Sequence, residues 1–327
     1  MTKQLIIALL LSTVPFSTVL AESEPAMISK QQFDQWFDET SNWGRWGEDD
    51  ELGTLNIITP EMKKSAANLV MAGVSISLAN DVDTDKTEYN PEPFVIESRL
   101  VSVGGNLAVV SDKYAVEFHG GAHTHIDSLA HLVHKGKMYN GLSADLLGPD
   151  GSEKLGIHNM KNGIFTRGVL VDMAWFRGVD YLADGEAITA SDLEEWEEKT
   201  GISIRAGDVL LVRTGRWERV RQVGPVHLIE GAAGLHASVA LWLKQRDVVA
   251  VGSDGGNDVL PSGVEGELSP FHTLALASLG MPLLDNLNLD ALTSEALQQK
   301  RWEFLFVAAP LRVGGGSGAP LNPLAVF

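Results

Sequence analysis

The chain concentrates its histidines in one short segment. Five of its nine histidines lie between residues 119 and 134, and residues 123–127 read His-Thr-His-Ile-Asp. Alternate residues of an extended strand point to the same face, which would bring four side chains together: His119, His123, His125 and Asp127. Imidazoles that converge with a carboxylate predict a site for a divalent metal such as zinc, manganese or iron.

Other residues of suitable type lie farther along the chain. His131 follows Asp127 by four residues, so a helical turn there would return its ring to the same region. His272 opens a predicted helix and Asp285 follows an apolar run, so this pair could complete the metal site or form a second one. Asp254 directly follows an apolar strand, where α/β proteins often place functional residues. The pattern leaves open whether Asp254 caps a turn or contacts a substrate.

The composition removes several kinds of chemistry. The sequence contains no cysteine, which excludes disulfides, thiolate nucleophiles and cysteine-bound zinc, so a metal must be held by His, Asp and Glu. The net charge of −18 argues against nucleic acid or an anionic membrane surface as a partner. A serine hydrolase is disfavoured because the sequence has no G-x-S-x-G motif.

The first 21 residues have the pattern of an export signal. Lys3 precedes an apolar run that extends to Leu20, and the small residue Ala21 comes before an acidic stretch. We therefore expect a signal peptide over residues 1–21 and a secreted, periplasmic protein of residues 22–327. No later segment is apolar enough to span a bilayer, so no membrane insertion is expected after cleavage.

The rest of the chain predicts one α/β domain. Strands buried on both faces are expected where apolar runs are nearly continuous, in residues 168–173, 207–214, 248–252 and 302–309. Shorter β-branched runs predict further strands in residues 73–78, 94–100 and 107–110. Helical patterns occupy residues 31–37, 189–199 and 238–244, and Thr59-Pro60 opens another helix. Strands that alternate with helices indicate an α/β core.

The segment 42–56 is rich in turn formers and aromatic residues, and we expect an ordered loop there. Trp43 and Trp46 could line an apolar wall for an aromatic or cyclic substrate, or they could pack in the core. The sequence favours neither role over the other.

The spacing His125-x-Asp127-x-x-x-His131 resembles the signature of the cyclase-like metal hydrolases, the family of bacterial kynurenine formamidase and isatin hydrolase. Further matching segments are residues 207–215, 250–254, His272 and residues 283–287, and the segment 42–56 is similar to the longer members. The resemblance implies a compact, single-domain α/β fold of the swivelling β/β/α type with a β-rich centre. It also implies a homo-oligomer that hydrolyses an amide, formamide, lactam or lactone bond of a small molecule.

The resemblance also implies residue roles. His125 and Asp127 would bind the metal, and His131 would act as general acid and base for metal-activated water. His272 and Asp285 would supply downstream ligands. The family usually has glutamate where this chain has Asp285, so we predict one zinc or manganese ion, with a second left open.

One expected family ligand is missing. The family usually has a histidine four residues before the one that matches His125, and this chain has Gly121 there. Strand parity permits either His123 or His119 as the replacement, and we favour His123. The alternative to an enzyme is a non-catalytic periplasmic protein that binds a metal or a solute through the same cluster, although such a protein would not need His131 outside the ligand set.

Overall fold

A computed structural model describes residues 27–227 and 230–327. The predicted signal peptide, residues 1–21, lies outside the described residues and stays a prediction. The strands in the described part are β1 (Ser75–Ser77), β2 (Val95–Gly104), β3 (Leu107–Ala115), β4 (His125–Asp127), β5 (Leu147–Gly148), β6 (Gly151–Ser152), β7 (Ile164–Asp172), β8 (Ala187–Ile188), β9 (Val209–Arg213), β10 (Gly234–Leu235), β11 (Ala250–Ser253), β12 (Leu283–Asp285), β13 (Glu303–Ala308), β14 (Gly318–Pro320) and β15 (Leu324–Val326). The α-helices there are α1 (Lys30–Thr40), α2 (Pro60–Ala67), α3 (Met173–Arg177), α4 (Ala190–Thr200), α5 (Arg216–Val223), α6 (Val239–Arg246), α7 (Pro270–His272) and α8 (Asp290–Gln299).

One nine-stranded mixed sheet forms the centre of the molecule, with the strand order β1-β15-β13-β7-β9-β11-β12-β4-β14. Strands β7, β9, β11 and β12 run parallel to one another, and their side chains are almost all buried. Helices α2, α3 and α8 pack against β7 and β9, which explains why these strands are apolar without alternation. The predicted single-domain α/β fold with a β-rich centre is confirmed.

Local sequence signals set the helix ends. Thr59 caps α2 by accepting a hydrogen bond from the Met62 amide at 3.2 Å, and Pro60 occupies the first turn. Thr189 and Asp192 cap α4 reciprocally. The helix predicted near His272 is the short α7, which continues as a π-helical segment over residues 273–279. In the described ranges, no helix combines the length and the apolar character needed to cross a membrane.

The runs 94–100 and 107–110 form strands as predicted, but these strands do not join the central sheet. Among the described residues, strands β2 and β3 pair only with each other, in an antiparallel hairpin that we call the β2–β3 arm. Most of its side chains are exposed, including Leu100 at 75% and Val110 at 66%. The arm separates a segment over residues 80–94 from the histidine-rich segment that begins at His119.

Candidate metal centre

Strand β4 carries the predicted ligands His125 and Asp127, and both side chains are buried. It lies between β12 and β14 in antiparallel register, with Asp285 opposite His125 and Gly318 opposite Asp127. A Cβ atom at Gly318 would lie 2.6 Å from the Ile126 carbonyl oxygen and 3.0 Å from the His119 ring. Glycine is therefore required there, because it lets β14 approach β4 closely and leaves space for His119.

Four imidazoles surround the Asp127 carboxylate. The nearest ring nitrogens lie 3.1 Å (His119 Nδ1) and 3.5 Å (His125 Nε2) from its Oδ1 atom. The other two nitrogens, those of His272 and His131 (Nε2 in each), lie 3.7 Å and 3.8 Å from its Oδ2 atom. None of these contacts is aligned as a hydrogen bond, so both buried oxygens of Asp127 lack a partner in the described part of the chain. An unpaired buried carboxylate among imidazole nitrogens is the donor set that a divalent cation satisfies.

The electrostatics keep Asp127 ionised. Burial alone would raise the pKa of its carboxyl, but the adjacent His119 ring and the three other imidazoles outweigh burial and lower the pKa to about 2. Two overlapping groups share this carboxylate, one with His119 and His131, and the other with His125 and Asp285. In each group the candidate ligand atoms lie within 4.8 Å of one another, so the residues fit a divalent metal.

Hydrogen bonds orient two of the rings toward this centre. His125 Nδ1 lies 2.8 Å from the His123 carbonyl oxygen, which leaves Nε2 free to face Asp127 and Asp285. His272 Nδ1 lies 2.5 Å from Asp258 Oδ2, and its Nε2 is 3.3 Å from Asp285 Oδ2. A carboxylate behind a histidine in this way is the usual support of a metal-binding imidazole.

The charge on His272 fits the same role. Burial lowers the pKa of this ring, but the carboxylates of Asp285 and Asp258 outweigh burial and raise the pKa well above its usual value. In the metal-free protein both ring nitrogens of His272 therefore carry a proton, and a metal would displace the proton on Nε2.

His131 differs from His272 because its ring is neutral. It stacks on His119 with a centroid distance of 3.9 Å and an angle of 13°. Burial lowers the pKa of His131 to about 4, although the Asp127 carboxylate opposes this shift. The ring is placed by a turn in which the His131 amide donates to the Ser128 carbonyl oxygen at 3.0 Å, and not by the helical turn considered from the sequence. A neutral imidazole at physiological pH can accept a proton.

The structure brings His119 to the centre and turns His123 away. The parity expected from a continuous strand fails because β4 begins only at His125, after an irregular segment that contains Gly120 and Gly121. His123 is buried instead against a smaller cavity of about 360 Å³ beside Phe94. Both of its ring nitrogens lack a hydrogen-bond partner within the described ranges.

The three predicted substrate-binding residues also lie elsewhere. Trp43 packs edge-on against Phe37, and its indole donates to the Ala277 carbonyl oxygen at 2.8 Å. Trp46 stacks under the Arg45 guanidinium. Asp254 is buried and accepts hydrogen bonds from the backbone of residues 214–216, at the start of α5. None of Trp43, Trp46 and Asp254 lines the cavity at the metal centre, because local contacts hold all three.

A cavity of about 920 Å³ opens onto the centre, with five of the candidate groups in its wall: His119, His125, His131, His272 and Asp285. The segment 80–90 forms one side, and Trp217 and Val220 of α5 form another. Arg216 and Asp258 also line the cavity, and the sequence reasoning assigned neither of them. Arg216 follows Thr214-Gly215, a matching family segment, and Asp258 follows Asp254 by four residues, so both were within reach of a motif-based prediction.

Comparison with known families and structures identifies the chain's relatives. The Cyclase family model matches residues 26–257. The chain belongs to the cyclase family. The crystal structure of a novel cyclase is 28% identical to this cyclase-family chain, with a TM-score of 0.79 over 89% of this chain and 99% of that chain. The resemblance stated from the sequence is therefore confirmed.

Isatin hydrolases share the fold of this cyclase-family chain. Isatin hydrolase A from Ralstonia solanacearum is 24% identical, with a TM-score of 0.54 over 78% of this chain and 92% of that chain. An isatin hydrolase bound to the product analogue thioisatinate is 18% identical, with a TM-score of 0.53 over 83% of this chain and 99% of that chain. No curated protein matches the sequence.

Proposed function

We propose that this cyclase-family protein is a metal-dependent hydrolase that cleaves an amide, formamide, lactam or lactone bond of a small molecule. The observation that carries the proposal is the Asp127 carboxylate, which is buried and without hydrogen-bond partners among four imidazole nitrogens. The cavity of about 920 Å³ has the size of a small-molecule site. The isatin hydrolases that share the fold support hydrolysis as the reaction.

The side chains around Asp127 divide into metal ligands and one proton-transfer group. His125, Asp127, His272 and Asp285 would hold the metal, and His119 would take the place that we assigned to His123. When bound, zinc or manganese supplies Lewis acidity, which polarises a carbonyl and acidifies water. Asp258 keeps His272 Nδ1 engaged, so that Nε2 points at the centre.

His131 supplies the proton transfer in this proposal. Its neutral ring accepts a proton from the attacking water as the oxygen adds to the carbonyl carbon. The same ring then donates that proton to the leaving nitrogen or oxygen, and the bond between this atom and the carbonyl carbon breaks. The products are a carboxylic acid and an amine or alcohol, which stay joined when the substrate is cyclic.

Metal content tests the site. Residues 22–327 should bind about one equivalent of zinc or manganese, and the His125→Ala/Asp127→Ala double variant should bind none. His158→Ala is the matched control, because this histidine belongs to neither candidate ligand group and should leave the metal content unchanged. Wild-type protein that binds no metal after reconstitution with both ions would end the proposal.

Turnover tests the role of His131. We expect His131→Ala to retain the metal and lose about 10²- to 10⁴-fold in rate on a panel of formamides, lactams and lactones. Loss of the metal as well would make His131 a ligand, in the group that it forms with His119 and Asp127. A metal-loaded wild type that hydrolyses nothing in the panel would favour the non-catalytic binding protein.

We also propose that the chain self-associates through the β2–β3 arm. Its strands have 10 and 9 residues, close to the roughly 20 residues that a standard interface uses on each side. The arm carries two acidic and two basic side chains (Glu97, Arg99, Asp112 and Lys113). Its net charge is therefore zero, although the whole chain has a net charge of −18. A lone two-stranded hairpin with exposed apolar side chains is marginal in water, and a second copy would cover it without charge repulsion.

A further inference from the structure

Arg216 places a guanidinium group in the wall of the cavity, at the start of α5. Its Nη2 atom donates to the Gly121 carbonyl oxygen at 2.7 Å. Its Nη1 atom donates to Asn286 Oδ1 and, at 3.4 Å, to the Asp254 carbonyl oxygen. Asn286 follows the candidate ligand Asp285, and Gly121 lies in the segment between His119 and β4, so the guanidinium lies beside the metal centre.

The acceptors around this guanidinium are uncharged. All three are carbonyl or amide oxygens, and in residues 27–227 and 230–327 no carboxylate forms an ion pair with Arg216. The Asp254 carboxylate is occupied, because it accepts from the backbone amides of Thr214, Gly215 and Arg216. Asp285 is occupied as well, since its Oδ1 accepts from Asn257 at 2.5 Å and its Oδ2 faces His272.

A positive charge that is partly buried and has no ion-pair partner is unfavourable. Burial lowers the pKa of Arg216 to about 10, partly opposed by the charges of Asp254 and Asp285, so the group stays protonated at neutral pH. A guanidinium has five N–H donors, and the three hydrogen bonds leave the Nε–H and one Nη2–H without an acceptor in the described chain. Paired N–H donors of this planar fork match the two oxygens of a carboxylate.

We propose that Arg216 binds a carboxylate of the substrate, so that the natural substrates are amides, lactams or lactones with a carboxylate near the scissile carbonyl. This inference rests on the proposed hydrolase function for the identity of the scissile bond, but not for the binding of the anion. Arg216 is then a specificity-determining residue, which selects one charge class of substrate.

The other residues of the cavity wall limit the rest of the substrate, beyond its carboxylate. Asp81, Asp83 and Glu88 line the cavity from the segment 80–90, and all three are exposed to solvent. Their charges are screened by salt, but they disfavour a second anionic group near the mouth. Trp217 and Val220 offer apolar surface in the same cavity. The expected substrate therefore carries one carboxylate at Arg216 and an uncharged or cationic apolar body.

The first test measures binding and needs no turnover. Benzoate and benzamide have the same shape and differ in charge, so we would titrate both into metal-free and metal-loaded protein by calorimetry. Wild type should bind benzoate about 10- to 100-fold more tightly than benzamide in both states, as expected for a charged hydrogen-bonded pair. Arg216→Gln should lose this preference and keep its affinity for benzamide.

Arg219→Gln is the matched control, because Arg219 lies one turn along α5 and pairs with Asp184 at 2.6 Å. It should bind benzoate like the wild type. A benzoate preference that survives in Arg216→Gln would overturn the proposal, since another group would then hold the anion. If Arg216→Gln does not fold, the wild-type comparison in the metal-free state decides, and equal affinities for the two probes would refute the inference.

A second test separates this inference from the proposed function. Once one amide is hydrolysed, the carboxylate form and its methyl ester are compared at fixed metal content. We expect the KM of the acid to be at least about 10-fold lower than the KM of its methyl ester, and this difference should be abolished in Arg216→Gln. A variant that instead lowers kcat for both substrates equally would assign Arg216 to the developing oxyanion and overturn the proposal. Absence of turnover would count against the hydrolase alone and leave the binding result in force.

Discussion

Replacing Asp258 by asparagine should weaken metal binding although Asp258 is not a candidate ligand. Its Oδ2 lies 2.5 Å from His272 Nδ1, and its two oxygens also accept from the Phe271 and His272 amides at 2.7 and 3.1 Å. The carboxylate accepts at every position, so it fixes the proton of the imidazole on Nδ1. In Asp258→Asn the one remaining oxygen can take the position of Oδ1 or that of Oδ2, so the NH₂ group faces a backbone amide in either orientation, and the negative charge behind the imidazole is lost. Without that charge the proton on Nδ1 is held less firmly, and Nε2 is a weaker donor to the metal.

The size of the effect follows from the loss of this carboxylate. Loss of a carboxylate behind a ligating histidine typically lowers metal affinity 10- to 100-fold, equivalent to about 1.4–2.7 kcal/mol. One of the two backbone amides also loses its acceptor, and because Asp258 is only 3% exposed, the unfolding free energy should fall by about 1–3 kcal/mol. His272→Ala should lower the affinity further than Asp258→Asn, because it removes the ligand itself.

The assay is competition for zinc with a fluorescent chelator, alongside thermal denaturation of the metal-free protein. Asp254→Asn is the control, since Asp254 is equally buried in the same loop but caps α5 instead of contacting a histidine. It should lower the melting temperature and change zinc affinity much less than Asp258→Asn does. Unchanged zinc affinity in a folded Asp258→Asn protein would refute the reasoning and remove His272 from the ligand set.

Three further predictions concern other parts of the molecule. Burial raises the pKa of the Glu51 carboxyl, but the hydrogen bonds that it accepts from residues 154–159 outweigh burial and lower the pKa. Glu51→Gln should therefore lose about 1–3 kcal/mol of stability at pH 7. Urea titrations should show this difference between variant and wild type shrinking as the pH falls below about 4.3. Gly280→Ala would place a Cβ atom 2.3 Å from the Tyr139 ring at a φ of +67°, so calorimetry should show a loss of about 2–4 kcal/mol. Leu100→Glu/Val110→Glu in the β2–β3 arm should give a folded monomer by light scattering, and an unchanged oligomer, or a monomeric wild type, would contradict association through the arm.

The sequence predicts the buried part of the sheet well because its signal is local. The runs 168–173, 207–214, 248–252 and 302–309 are apolar without alternation, and each overlaps a strand of the central sheet, β7, β9, β11 and β13 in turn. The runs 94–100 and 107–110 also form strands, but their partners could not be predicted. β-Branched composition indicates an extended backbone and carries no information on which sheet the strand joins.

The site was predictable where ligands share one short element. His125 and Asp127 lie on β4, and their spacing alone placed them together. His119 and His123 could not be told apart from the sequence, because strand parity holds only inside a strand and β4 has 3 residues. The space that Gly318 leaves for the His119 ring depends on a strand that lies almost 200 residues away in the chain.

The loop after β11 shows most directly why the remaining assignments needed the structure. Asp254 is the acid that directly follows the strand, and for that reason the sequence made it a candidate for substrate contact as well as for a turn cap. In the structure it holds the start of α5 and thereby the backbone of Arg216, whose guanidinium reaches the cavity. Asp258, four residues later, turns to His272 instead. Two carboxylates of one loop thus position two different groups of the site, a cation for the substrate and a ligand for the metal. Which acid serves which group is decided by contacts with α5 and α7, and these are set by the fold and not by the loop sequence.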